Sequence, residues 1–84
     1  MNFLYHISQT VNNNYNTYDS SVICAANATD AKNTHPQDGD LYSPERELKW
    51  LRTWAIPEHV TAVVIGEAKS TQSTGVVCAS FNAG

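Results

Sequence analysis

Ser21-Val22-Ile23-Cys24-Ala25-Ala26-Asn27-Ala28-Thr29-Asp30-Ala31-Lys32-Asn33-Thr34-His35-Pro36 is the stretch on which the fold turns. Residues 21–26 are mostly apolar on both sides, as in a strand held inside a sheet. Asn27 or Thr29 then offers a side-chain oxygen to a helix N-terminus, and Ala28, Ala31 and Lys32 favour the helical state. Pro36 stops the helix and pushes His35 out of the helical region. The pattern predicts a helix of about two turns, with Ala28, Ala31 and His35 toward the sheet.

Outward from this stretch, residues 2–9 alternate Phe3, Tyr5 and Ile7 against Leu4, His6 and Ser8, a period of two that predicts a strand. Residues 10–20 are rich in Asn and Tyr and predict a polar loop. Gln37-Asp38-Gly39-Asp40 predicts a turn. In residues 43–54, Ser43-Pro44 is a strong helix start, with Glu45 and Glu47 near the positive end of the helix dipole. A helix here would bury Leu48, Leu51 and Ala55 together and turn Trp50 elsewhere. A strand would instead gather Leu48, Trp50, Trp54 and Ile56, with Arg52 intruding; the helix is preferred. Pro57-Glu58-His59 is a turn, residues 60–67 are the clearest strand of the chain, and residues 75–81 form a last one.

The predicted class is α+β, in the order β-β-α-(α)-β-β: a small mixed sheet of about four strands, covered on one face by one or two short helices. If the strands at 21–26 and 60–67 lie parallel, their connection is a right-handed crossover.

Length and composition limit the function. The 84 residues make one domain, 1–84, with a thin core, since folding at this size hides only about 60–65% of the unfolded surface. Hydrophobic residues at 42% and charged ones at 15%, with a net charge of −3, describe a chain that folds rather than stays disordered. Duplex nucleic acid is not expected as a partner, because only Arg46, Lys49 and Arg52 cluster. No apolar segment is long enough to span a bilayer. Met1-Asn2-Phe3-Leu4-Tyr5-His6 lacks a basic n-region and a long apolar run, so the expectation is a protein that stays in the cytoplasm. Cys24 and Cys78 read as reduced, buried hydrophobes, with a disulfide open to them if their strands are adjacent.

Chemistry is sparse. His6, His35 and His59 have no metal-ligand spacing, so no metal or cofactor is expected. Asp38/Asp40 and Glu45/Glu47 are explained by a turn and a helix start. No glycine-rich phosphate loop and no nucleophile elbow occur, and no catalytic residue is assigned: the chain is not read as an enzyme. Two regions stand out for binding. Asn14, Tyr15, Thr17, Tyr18 and Asp19 have the Tyr/Asn composition of recognition loops, against the plainer role of a solvated connection folded over the sheet edge. Arg46, Trp50 and Arg52, with Tyr42 and Trp54 nearby, combine the residue types that dominate contact hot spots, against the plainer role of completing a core with only two Phe.

The motif Tyr15-Asn16-Thr17-Tyr18-Asp19-Ser20 is followed by Val22-Ile23-Cys24-Ala25-Ala26, Ala31 and His35-Pro36. After it come Trp54, Pro57-Glu58, Val60, Ile65-Gly66-Glu67-Ala68 and the closing run Gly75-Val76-Val77-Cys78-Ala79-Ser80-Phe81-Asn82-Ala83-Gly84. Together they resemble a family of small uncharacterised proteins encoded by bacteriophages and prophages. The likeness covers most of the chain outside about residues 37 to 53, which look like a variable insert. It carries no assigned chemistry, and it implies a binding role in a host cytoplasm, either against a host or defence-system protein or on a signalling molecule.

The first expectation is a non-enzymatic accessory protein that binds and modulates, as an inhibitor, such a partner. The second is a homo-oligomer that sequesters a nucleotide-like ligand, with Tyr15 or a Trp on the base and Arg46 or Arg52 on phosphate. A homodimerisation module is the third.

Overall fold

The computed structural model describes residues 2–12, 16–37 and 39–82. Four strands, β1 (Phe3–Ser8), β2 (Thr17–Ala25), β3 (Thr61–Glu67) and β4 (Gly75–Asn82), form one sheet in the order β3-β1-β2-β4. Helix α1 (Ala28–Lys32) follows β2, and α2 (Glu47–Trp50) follows a 3-10 turn at Pro44–Arg46. A second 3-10 turn, Pro57–His59, leads into β3. The α+β class, the element order and the short helical cover are as the sequence predicts.

Every pairing is antiparallel, so the sheet is not mixed. Strand β1 lies between β2 and β3 and is antiparallel to both, so β2 and β3 run in the same direction, not as neighbours, and the segment with the helices crosses over β1 to join them. The β1–β2 pair is the centre, with Phe3 opposite Ala25, Tyr5 opposite Ile23 and Ile7 opposite Ser21. Alternation then sends one set of side chains, Tyr5, Ile7, Ile23 and Ala25, into the core with Ala31, Trp50, Trp54, Ala55 and Val60. The loop of residues 68–74 joins β3 at one edge to β4 at the other. It must cross three strand spacings, about 14 Å, and seven extended residues reach about 23 Å.

Strand β2 starts at Thr17, so Thr17, Tyr18 and Asp19 belong to a strand and not to the polar loop. Pairing on both sides extends it, with Ser20 opposite Ser8 and Tyr18 opposite Phe81. Asn16, at φ 62, makes the left-handed step into the strand, a conformation that Asn tolerates.

Helix α1 is capped by Asn27, whose side chain accepts from the Asp30 N–H at 2.8 Å. Ala31 is buried in it, whereas Ala28 is exposed; one and a half turns leave room for a single inward residue. Helix α2 corrects the expected stripe. Leu48 is 85% exposed and Leu51 also faces solvent, while Trp50 is 3% exposed. A single α-turn is too short to carry a stripe, and the largest apolar surface takes the inward position. The Trp50 Nε1–H donates to the Ala55 carbonyl at 2.8 Å, which satisfies its polar end inside the core.

The cysteines are both free; Cys24 is buried as expected, but Cys78 is exposed. They sit on neighbouring strands, yet Cys78 pairs with Val22 and Cys24 with Gly75. Among the described residues no helix is long and apolar enough to cross a membrane.

Candidate functional site

The segment after α1 doubles back on itself. The His35 N–H donates to the Asp40 carbonyl at 2.8 Å, and the Gly39 N–H donates to the His35 carbonyl at 2.9 Å. Thr34 and Leu41 bridge outside this closure, and the Tyr42 N–H reaches the Asn33 carbonyl. Gly39 holds φ 78, where a side chain would strain the backbone. These bonds hold His35, Gly39 and Asp40 together, next to α2.

Between this segment and α2 lies a cavity of about 250 Å³, lined by His35, Gln37, Asp40, Arg46, Lys49, Trp50 and Thr53. His35 is buried and forms its floor. The Gln37 N–H donates to His35 Nδ1 at 3.0 Å, so Nδ1 is the lone-pair nitrogen and the ring hydrogen sits on Nε2. That Nε2–H donates to the Thr53 hydroxyl oxygen at 3.0 Å. The imidazole is further set by edge contacts to Trp50, at 4.8 Å between ring centroids, and to Tyr18, at 6.2 Å. Arg46 forms an ion pair with Asp40 at 3.4 Å, at a level where both side chains are about half exposed. Tyr42 packs edge-on against Trp50, and its phenol donates to Glu47 Oε1 at 2.8 Å. That hydrogen bond, with lesser contributions from desolvation and the nearby Glu47 and Glu58 charges, raises the Tyr42 pKa above 10.0.

The sequence-predicted residues divide as follows. Arg46 and Trp50 meet in this cavity, while Arg52 and Asp19 are exposed outside its lining. Thr17 is buried. Tyr18 is half-buried between His35 and Phe81, whose ring centroid is 4.8 Å away, so it supports the floor from behind. Asn14 and Tyr15 lie outside the described residues. Trp50, 3% exposed, is not a free contact anchor, although it lines the cavity. Sequence reasoning grouped Lys49 with Arg46 but missed His35, Gln37, Asp40 and Thr53 as their neighbours. Only the closure of the 35–40 loop brings them together, and no local motif announces it.

A second surface is apolar. Strands β3 and β4 are the sheet edges, and Val63, Val64, Ile65, Val77 and Phe81 are all largely exposed on them. The two strands carry a single charge, Glu67. On the sheet face away from the helices, register aligns Val63, His6, Val22 and Cys78 in one row across all four strands. Each edge strand has an extra residue in its ladder, Ile65 on β3 and Val77 on β4, that bends it locally. Comparison of the chain with protein-family models, with curated proteins and with solved structures finds no match.

Proposed function

We propose that this chain is a non-enzymatic, phage-type accessory protein that binds and modulates a host or defence protein through its open sheet. The observation that carries this reading is the pair of apolar edge strands. Their exposed valines, isoleucine and phenylalanine come with a single charge to guard fifteen residues. An uncharged edge offers a row of unpaired backbone N–H and C=O groups to another strand, and proteins whose edges have no task blunt them with charge or proline. Adding a partner strand satisfies that row, and the flanking apolar side chains supply contact area. Leu48, Leu51 and Arg52, on and after α2, are a separate exposed set on the helical side.

The experiment is affinity capture from a bacterial lysate by the wild type and by Val63→Lys and Val77→Lys variants. Both positions are exposed, so the core is untouched. A partner held by the wild type and weakened at least about tenfold by either lysine supports the reading, tenfold being the ordinary loss at an interface hot spot. Equal capture by all three proteins sinks it.

One observation favours a second reading, capture of a nucleotide-like ligand by a homo-oligomer. Arg46 and Trp50 line one cavity, which supports this reading. Nucleotides that raise the melting temperature in proportion to the logarithm of their concentration support it. An unchanged melting temperature across the series removes it.

A further inference from the structure

We infer that the β3 edge pairs antiparallel with the same edge of a second copy of this chain, about a two-fold axis at Val63, joining two sheets into one of eight strands. The inference rests on the reading of the uncharged edges as places where a strand is added. It gives the β3 edge its own partner and leaves the β4 edge for a host protein.

Two hydrogen bonds fix which way the backbone groups point. The Ala68 N–H donates to the Asn2 carbonyl at 3.0 Å, on the β3 side of β1. The Gln9 N–H donates to the Asp19 carbonyl at 3.3 Å, on the β2 side. Peptide groups alternate in direction along a strand, so even-numbered residues of β1 point their N–H and C=O at β3 and odd-numbered ones at β2. Thr61 and Val63, opposite Ser8 and His6, are therefore bonded to β1. Ala62 and Val64, opposite Ile7 and Tyr5, turn their N–H and C=O groups outward, where no strand of the described residues lies. The extra residue Ile65 ends this regular run.

Two such edges fit each other in one register. With Val63 opposite the second copy's Val63, Ala62 lies opposite its Val64, and each Ala62–Val64 pair exchanges two hydrogen bonds. Every outward group of the run is then satisfied. The two Val63 side chains meet on the open face at a non-hydrogen-bonded position, where cross-strand side chains come closest. Val63, Val64 and Ile65 are each more than half exposed in the single chain. Pairing gives β3 the interior place that apolar residues on both faces call for.

Charge selects the antiparallel arrangement. Glu67 is the only charge on β3. Pairing about Val63 sends the two Glu67 carboxylates to opposite ends, eight residue rises or about 26 Å apart. That is well beyond the Debye length of about 8 Å. Parallel pairing in register would set them side by side. A contact between identical edges also closes on itself, whereas β3 added to the second copy's β4 would continue into a filament. So short a ladder makes a small interface, with a dissociation constant expected on the order of 100 micromolar.

The test uses the purified protein alone, by sedimentation velocity and amide hydrogen exchange from about 10 micromolar to about 1 millimolar. The sedimenting mass is expected to rise toward twice that of the monomer and to stop there. At tenfold the dissociation constant about one fifth of the chains are monomeric, so the Ala62 and Val64 amides are expected to exchange about fivefold more slowly than at high dilution. The Ala79 amide, which the same alternation turns outward on β4, is expected to be unchanged. Val64→Pro removes an outward N–H without taking a bond from β1, a change that edge strands tolerate. It is expected to stay monomeric at 1 millimolar with the rest of its spectrum unchanged, and Val77→Lys to dimerise as the wild type does. If the proline variant does not fold, the wild-type exchange pattern decides alone. A wild type that stays monomeric at 1 millimolar overturns the inference and leaves the host-protein reading to the β4 edge. Dimerisation without any captured partner leaves the inference standing and removes that reading. Mass that keeps growing with concentration, protection of Ala79 in place of Ala62 and Val64, or a folded Val64→Pro protein that still dimerises overturns the inference as well.

Discussion

The Tyr42 phenol and the Glu47 carboxylate show how one hydrogen bond ties the 35–42 region to α2. The phenol donates at 2.8 Å, so losing its proton would set two negative charges side by side. Its raised pKa states the same preference. For a group whose folded pKa exceeds its unfolded value, the contribution to stability is full below the unfolded pKa. It is lost as pH rises through the folded one. The stabilising effect of this pair is therefore present at neutral pH and disappears in strongly alkaline solution. Glu47→Gln is expected to move one phenolate transition, followed by ultraviolet absorbance, back down toward 10.0; an unmoved transition contradicts the assignment. Buried Gln9 is a second example. Its amide nitrogen donates to the Asn12 and Tyr18 carbonyls, and its oxygen accepts from the Val11 and Asn12 N–H groups. A lone glutamine at the end of an alternating strand reads from the sequence as a solvated end, because nothing local shows that the chain will wrap around it.

Helix α2 is the element whose sequence reading and structure diverge most. Helical spacing favours Leu48 as an inward residue, yet the element has one α-turn and Trp50 takes the core place. Trp50→Ala is expected to cost about 3–5 kcal/mol, since it empties a site packed by His35 and Tyr42. Trp50→Phe keeps most of the packing but leaves the Ala55 carbonyl unpaired, for about 1–3 kcal/mol. Leu48→Ala is expected to change stability by less than about 0.5 kcal/mol, as surface substitutions do. Urea unfolding ranks the three, and a Leu48 effect as large as that of Trp50 would reverse the structural order. Helix α1 is closer to its sequence: the Asn27 cap offered there is the one used, although the helix ends at Lys32, short of the expected stop at Pro36. Strand β3 is a third case. Apolar residues on both faces describe a strand inside a sheet, but β3 is an edge. Hydrophobicity reports what a strand needs covered, not which neighbour covers it.

Over the whole molecule, the sheet face away from the helices is open in one part and closed in another, and the cysteines, which register and alternation place together on that face, measure this. Cys78 is exposed and Cys24 is buried. In the native protein a thiol reagent is expected to modify Cys78 rapidly and Cys24 only at the rate of local or global opening. Two equally fast thiols would contradict the fold; a Cys78 that is slow in the isolated protein and fast after dilution would show that copies of the chain associate over this face. The strand alternation and a short capped helix after residues 21–26 were determined by the sequence alone, because backbone sterics and side-chain period act within a few residues. Strand order, the exposure of β3 and β4, the burial of Trp50 and the cavity under Arg46 were decided only by tertiary structure. Those features depend on segments far apart in the chain competing for one small core, and no local pattern records which of them wins.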